Sequence, residues 1–378
     1  MANTLTNLIP DVYAALDVVS RELIGFIPAV ARDSRADRLA LGQTLRSIVA
    51  PANTAGTDIT PAMSLPSAAD QTIANKTVSI SKARAYPFSW TGEEQMAMDT
   101  GPGFLTIQQD QIAQAFRAAV NEMETDLGVL AYKNSSRAYG TAATTPFAST
   151  LADPAQVRKI LDDNGAPQSD RHLIINTAAG AALRTLAQLT KVNEAGDSSM
   201  LRQGELLNIH GFAIRESAQV QTATAGSGAS YLINNGAGYA IGATALTVDT
   251  GSGTLLAGDV ITIGAFKYVV AAALAANVVT IAAPGLQAAV ADNATITLNA
   301  THASNVAFAR NAFLLATRLP ALPREGDIAI DRTTVTDPRS GMSFEIAAYA
   351  AYRMVTYHIS VAWGVAAIKP EHAAILLG

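Results

Sequence analysis

Apolar residues recur at three- and four-residue steps through residues 106–132. Ile112, Phe116, Ala119 or Val120, Met123, Leu127 and Leu130 draw one continuous stripe, the period of an amphipathic helix. At 1.5 Å per residue such a helix would run about 40 Å, long enough to back a whole domain. Gln111, Gln114, Arg117, Asn121, Glu124 and Asp126 fall on its polar face, toward water or a neighbour. With sheet-like sequence before it and most of the small elements after it, this helix reads as a spine. A second strong pattern has period two. Phe344, Ile346 and Ala348 alternate, and then Val355, Tyr357, Ile359, Val361, Trp363 and Val365 form the longest strand face in the chain, with Met354, Thr356, His358, Ser360 and Ala362 between them. That strand is expected to pack beneath the spine, and Lys369, Pro370 and Glu371 break it off before a short apolar tail, 373–378.

Nearer the start, Asn7 can cap a helix with Pro10 in its first turn and Leu8, Val12, Leu16, Val19 and Leu23 on one side, ending near Gly25. Residues 31–46 interleave Arg32, Arg35, Arg38 and Arg46 with Asp33 and Asp37 and offer few large apolar anchors. The pattern fits either an arm that orders against neighbouring subunits or an ordinary solvated segment. From 48 to 81 the texture changes: Pro51, Gly56, Pro61 and Pro66 interrupt short apolar pieces, and Val78 and Ile80 open an alternation that continues through Tyr86, Phe88 and Trp90. Pro87 makes the later piece an edge or bent strand. This predicts a two-stranded excursion with little core of its own, which something else must cover. Residues 92–103 read as a connection, punctuated by Gly101, Pro102 and Gly103.

After the spine, 134–150 is small and polar and reads as a loop. Asp153 is expected to cap a helix with Pro154 in its first turn and Gln156 placed for the reciprocal bond, burying Val157, Ile160 and Leu161 before the stop at Asp162, Asp163, Asn164 and Gly165. Residues 172–176 form an apolar strand, and Thr177 can cap a helix over 178–189 with Leu183, Leu186 and Ala187 inward. A polar surface loop follows at 191–204, then strand-like sequence at 207–213 that continues to 220. Threonine, alanine, glycine and serine fill most of 221–230. Beyond that boundary the pattern is strand and turn: Leu246 with Val248, then 260–263, 266–270, 278–281 and 295–298, separated by Gly251, Gly253, Gly258, Gly264, Pro284 and Gly285. Strands at this spacing suggest a barrel or sandwich of roughly 70 residues. It reads as an insertion, because 306–316 again suits a short helix or strand of the host, with turns at Pro320, Pro323 and Gly326.

A chain of 378 residues can form two or three domains, each with its own core. Cysteine is absent, which excludes disulfides and thiolate nucleophiles. Charged residues make up only 15% and hydrophobic ones 49%. So uncharged a surface implies large contacts between subunits. The net charge of −5 argues against a whole-protein grip on nucleic acid and leaves room for one face to lie near enclosed nucleic acid. Residues 1–10 lack a basic segment, Pro10, Asp11 and Asp17 interrupt the apolar residues that follow, and the apolar run 268–276 is too short to span a bilayer. A soluble protein without a membrane partner is expected.

No cluster of reactive groups stands out. Glu93, Glu94 and Asp99 offer acids, but adjacent side chains on an extended segment diverge, and solvated-loop acids are the simpler reading. Asp162 with Asp163, and Asp249 with Asp259, lack the ligand spacing of a calcium loop and suit surface turns. His172, His210, His302, His358 and His372 are scattered, with no helical pair for zinc. His172 and His358 have no assignable serine or acid partner and read as hydrogen-bonded structural histidines. Gly226, Gly228, Gly236 and Gly238 lack the strand-to-helix context and the lysine of a phosphate cradle, and look like hinges. The arginines of 31–46, balanced by aspartates, suit a protein-facing arm or solvent better than a nucleic-acid module.

The order of elements and several local sequences resemble the major coat proteins of tailed bacteriophages, in the branch typified by the coat protein of the short-tailed Salmonella phage. Residues 171–176 with 177–189 resemble the family's axial-domain strand and helix, and 206–220 its strand leading to an inserted domain. The closing segment 359–370, especially Ala362, Trp363, Gly364, Val365, Ala367 and Pro370, is similar to the family's final strand and its exit. The early arm and the insert match loosely. The resemblance implies an α+β chain of the Hong Kong 97-type capsid fold: an N-terminal arm with helix (1–47), an extended β-hairpin loop (48–90), a peripheral domain with the spine helix (91–133), the first part of an axial domain (134–221), an inserted β-rich, barrel-like domain (222–302), the axial return (303–335) and the C-terminal strands of the peripheral domain (336–378). It implies a non-catalytic major capsid protein without catalytic, cofactor-binding or metal residues. Copies would assemble as pentamers and hexamers of an icosahedral shell, first a procapsid and then an expanded capsid around double-stranded DNA. Implied partners are a scaffolding protein, a portal and a decoration protein, with assembly in the host bacterial cytoplasm and a final place in the virion. The alternative is another phage component, such as a tail or decoration protein, with the strand-rich insert as its adhesive unit; an enzyme comes third.

Overall fold

The computed structural model describes residues 25–49, 74–99, 104–148, 150–186, 189, 208–337 and 341–378. The helix expected from Asn7 and the loop expected at 191–204 lie outside the described residues. In chain order, β1 (Ala31–Leu39), β2 (Thr44–Val49), β3 (Ala74–Ser79) and β4 (Lys82–Thr91) lead to α1 (Gly92–Asp99) and α2 (Phe104–Lys133). Then come β5 (Arg137–Tyr139), α3 (Ala152–Asp163), β6 (Arg171–Ile175), α4 (Thr177–Thr185), β7 (Asn208–Ile209), β8 (Phe212–Glu216) and β9 (Thr222–Ala223). A strand-rich stretch follows: β10 (Tyr231–Ile233), β11 (Ala245–Asp249), β12 (Val260–Ile263), β13 (Phe266–Ala275), β14 (Val278–Ile281) and β15 (Thr295–Leu298). The chain closes with β16 (His302–Ala309), β17 (Phe313–Pro320), β18 (Ala329–Thr336), β19 (Ser343–Ala351), β20 (Met354–Ala367) and β21 (Ala373–Leu377).

The spine is α2, 30 residues long. Its stripe is buried at Ile112, Phe116, Ala119, Val120, Met123 and Leu127, against Phe344, Ile359, Val361 and Trp363 of the sheet below. Phe116 meets Phe344 edge-on at 4.9 Å, and the Trp363 indole N–H donates to Asp126 at 2.9 Å. So β20 does lie beneath the spine. One polar-face residue departs from expectation: Glu124 is fully buried. Its carboxylate accepts the backbone N–H groups of Gly25, Phe26 and Ile27 at 2.5, 2.5 and 2.9 Å. A helical wheel sees only its own helix, and these donors come from about a hundred residues away.

The sheet under the spine runs β1, β17, β20, β19, β18, with β4 also paired to β20. Within residues 31–46 the segment Ala31–Leu39 is a strand of this sheet, although none of its residues is buried. β1 pairs parallel with β17, and its charges are used locally: Asp33 meets the buried Arg318 at 2.9 Å, while Arg38 reaches the Pro320 carbonyl at 2.7 Å and the Glu345 carboxylate. Ion pairs with β17 and β19 stand where apolar anchors are sparse. As expected from Pro87, β4 has one partner strand, β20. The expected connection at 92–103 contains α1 instead, opened by a reciprocal cap: Glu94 accepts the Thr91 N–H at 2.9 Å and donates its own N–H to the Thr91 hydroxyl at 3.2 Å. The Thr-x-x-Glu signal was present at 91–94 and is a helix start.

A second sheet runs β5, β21, β16, β6, β8, β7, with α3 and α4 over one face, where Val157, Leu161, Leu173, Ile175 and Leu183 share a core. Here the expected loop at 134–150 holds β5, and the expected apolar tail is a central strand: every residue of β21 is buried between β16 and β5. Its partners lie far away in sequence, so nothing local marks it as a strand. Asp153 does not cap α3; the cap position is Leu151, without a side-chain bond, and Asp153 accepts the Phe147 N–H at 2.8 Å. The α4 cap is Asn176 in place of Thr177, accepting from Ala179 at 2.9 Å, and Asn is the stronger capping residue.

The strands β10–β15 close on themselves in the order β12, β15, β10, β11, β14, β13 and back to β12. All of these pairings are antiparallel. The result is a small barrel with its own apolar interior, including Ile233, Leu246, Ile261, Val270, Val279 and Ile281. The sequence pattern missed β10, three residues long. The barrel also joins the second sheet directly, through β13 paired to β5.

Candidate assembly surfaces

The hairpin β2–β3 shares no ladder with any other strand among the described residues. Among the described residues its covered part is the root. Val78 and Ile80 are buried against Ala316 and Ala362, while Asn75, Lys76 and Thr77 are exposed. The root is pinned by backbone bonds: Ser81 donates to the Trp363 carbonyl at 3.0 Å and Ile80 to the Gln43 carbonyl at 2.9 Å. This approach requires glycine at 364, because a Cβ there would stand 2.0 Å from the Ser79 carbonyl oxygen. Two strands alone are marginal in water, so the hairpin leaves the body as an element still needing cover.

From the root, β4 is clasped to the spine by polar contacts. Lys82 bridges Glu122 and Asp126 at 2.9 and 2.8 Å, the Tyr86 hydroxyl donates to Glu122 at 2.7 Å, and the Trp90 indole N–H donates to Gln111 at 2.8 Å. Burial pushes the Tyr86 phenol well above its ordinary range, and its bond to Glu122 adds to this. Burial also pushes the Glu122 carboxyl up, but the bonds from Tyr86 and Lys82 outweigh it and leave Glu122 below its ordinary value. The clasp holds the hairpin's direction relative to α2.

Apolar side chains stand out where the first sheet ends. Tyr352 is 92% exposed, Ile328 80%, Met96 77% and Ile330 57%. Tyr352 also lines a groove of about 710 Å³ with Trp90, Gln95 and Met354. Ile330 lies on β18, which among the described residues pairs only with β19 and so presents an open edge. Exposed side chains of this size and an unpaired edge are features that contacts between molecules use.

The candidates for chemistry are dispersed. Glu93 and Glu94 sit in the first turn of α1, and the Thr91 bonds hold Glu94 below the ordinary carboxylate value. Asp99 closes the same helix. Asp162 pairs with Arg171 at 2.7 Å and Arg158 at 3.5 Å, and Asp163 with Arg137 at 3.2 Å. Asp249 accepts from Thr250, and Asp259 from the Leu256 N–H at 2.7 Å. Among the described residues no group of three acids or histidines is placed to hold a metal ion. Gly226 is not a hinge: a Cβ there would meet the Thr254 carbonyl at 2.3 Å. His358 packs edge-on against Tyr349, and His172 donates to Asp170 at 3.1 Å. Sequence reasoning missed Glu124, for which no local signal exists, and the close approach at Gly364, which the Trp363–Gly364 pair marks.

Three buried histidines make stability depend on pH. Burial lowers His172, His302 and His372 below the ordinary imidazole value. The unfolded chain, titrating at about 6.5, therefore binds more protons below that pH than the folded chain does. The stability these groups contribute is complete above 6.5 and falls as the pH falls. Glu124 and Asp259, raised by burial, act in the opposite sense, so the histidine part is isolated by difference. Relative to a His172→Gln, His302→Gln, His372→Gln variant, the natural chain should lose thermal midpoint between pH 7.5 and 5.5. A midpoint difference that stays constant across that range would refute the assignment.

No family model and no curated protein matches the chain. Solved structures are similar at low identity. The capsid of cyanophage A-1(L) has 10% identity, covering 100% of this chain and 95% of that one, with a TM-score of 0.48. The capsid of cyanophage P-SCSP1u has 11% identity, with 91% and 86% covered and a TM-score of 0.48. The capsid of a native GTA particle has 10% identity, with 94% and 90% covered and a TM-score of 0.48.

Proposed function

We propose that this chain is a major capsid protein of the tailed-phage, Hong Kong 97-type family, building an icosahedral shell of pentamers and hexamers around double-stranded DNA. The observation that carries the reading is the β2–β3 hairpin, rooted on β20, with no other strand paired to it among the described residues and with Asn75, Lys76 and Thr77 exposed. The open β18 edge, exposed Tyr352 and Ile328, and the low charge content support it. A closed shell needs one surface to make several non-identical contacts, and many weak contacts per subunit sum to a stable particle. The finer placement belongs to the same proposal: the branch of the short-tailed Salmonella phage, the seven-part division of the chain, a non-catalytic role without metal or cofactor, scaffolding, portal and decoration partners, assembly in the host cytoplasm, and a final place in the virion. The barrel as an independent adhesive unit of a tail or decoration protein is less favoured, because β13 pairs with β5 and fastens it to the second sheet.

Shortening the chain within residues 53–76 tests this reading. The variant should keep the circular dichroism of the natural chain and fail to close shells by particle sizing. Normal shells from a shortened chain would count against it.

A further inference from the structure

The buried carboxylate of Glu124 joins three parts of the chain that are remote in sequence. No cation pairs with it among the described residues; it is held by the amides of Gly25, Phe26 and Ile27 and by the Ser217 hydroxyl at 3.1 Å. Residues 25–27 bring the N-terminal part of the chain into the core, where Phe26 stacks on Phe308. Ser217 opens the segment that runs from β8 to β9 and on toward the barrel. Neighbouring contacts tighten the same junction. Thr125 donates to the Gln219 side-chain oxygen at 2.9 Å, and the Gln219 N–H donates to Ser217 at 3.2 Å. A Cβ on Gly25 would stand 3.0 Å from that of Ser217, and one on Gly128 3.0 Å from the Gln219 carbonyl. Both glycines sit in close contact with the 217–219 segment.

We propose that Glu124 is a conformational coupling point: one carboxylate holds residues 25–27 and residues 217–221 in a single arrangement, so that neither segment loosens without releasing the other. A carboxylate buried without a counter-ion is costly unless its bonds are complete. Losing the bonds on one side leaves a buried charge short of donors, which favours its protonation or the entry of water, and either one loosens its hold on the other side. The spine thereby links the point where the N-terminal part of the chain joins the core to the point where it departs for the barrel. The coupling does not depend on shell assembly.

Hydrogen exchange on the purified full chain tests it, read by mass spectrometry in three regions. In Ser217→Ala, which removes nothing from residues 25–27 themselves, the amides of Phe26 and Ile27 should exchange faster, on the order of tenfold. In Glu124→Gln, residues 217–221 should accelerate together with 25–27. The mid-spine amides of Phe116 and Val120 should stay at the natural rate in both. Acceleration confined to 217–221 in Ser217→Ala would overturn the proposal, and so would equal acceleration across all three regions, which means general destabilisation. If Glu124→Gln does not fold, Ser217→Ala alone decides.

Discussion

Trp363→Ala should cost about 3–5 kcal/mol of subunit stability, the range for truncating a large buried aromatic. Trp363 is fully buried at the centre of the contact between β20 and the spine. Its indole also donates to Asp126, which Lys82 shares. Truncation removes the packing and leaves one carboxylate oxygen short of a donor. Trp363→Phe keeps one ring but loses the N–H and part of the buried volume, so its cost should be smaller, about 1–3 kcal/mol, with Lys82 still serving Asp126. Urea unfolding compares the two variants. Equal losses in both would mean that the volume removed does not set the cost and that the packing account is wrong.

Gly364→Ala should have the largest effect on assembly. The added methyl would fall 2.0 Å from the Ser79 carbonyl oxygen, a backbone atom that cannot rotate away. Either β20 shifts from β17, where Gly364 faces Ala316, or the hairpin root lifts from the sheet. The second is cheaper, because the root is held by a few backbone bonds and a small cluster, whereas β20 is paired along both sides. The subunit should lose about 1–3 kcal/mol, as overpacked sites do, and closed particles should be lost by light scattering and microscopy. A variant with natural stability and natural particles would show that the root is not what aims the hairpin.

Much of the fold was legible where one segment carries its own period. The spine stripe, the face of β20 and the barrel strands Val260–Ile263, Val278–Ile281 and Thr295–Leu298 declare themselves because their burial follows local spacing. The elements that escaped depend on remote partners. β1 looks solvated until Arg318 and Glu345 arrive from distant strands, and β21 looks like a tail until β16 and β5 flank it. Glu124 belongs with them, since its three donors lie outside any window that shows a helix its faces. Among the assembly features, one strand of the hairpin was visible from Val78 and Ile80, while its partner strand Thr44–Val49 was not, and Lys82–Thr91, read as part of the same excursion, belongs to the first sheet. The exposed Tyr352 and Ile328 were not visible, because a lone apolar residue in a turn carries no sign of which way it will face.

Electron microscopy of the purified full chain, with sedimentation run alongside, tests the central claim most directly. The account predicts closed shells built from copies of this chain. A chain that stays monomeric at high concentration, with its hairpin uncovered, would contradict it.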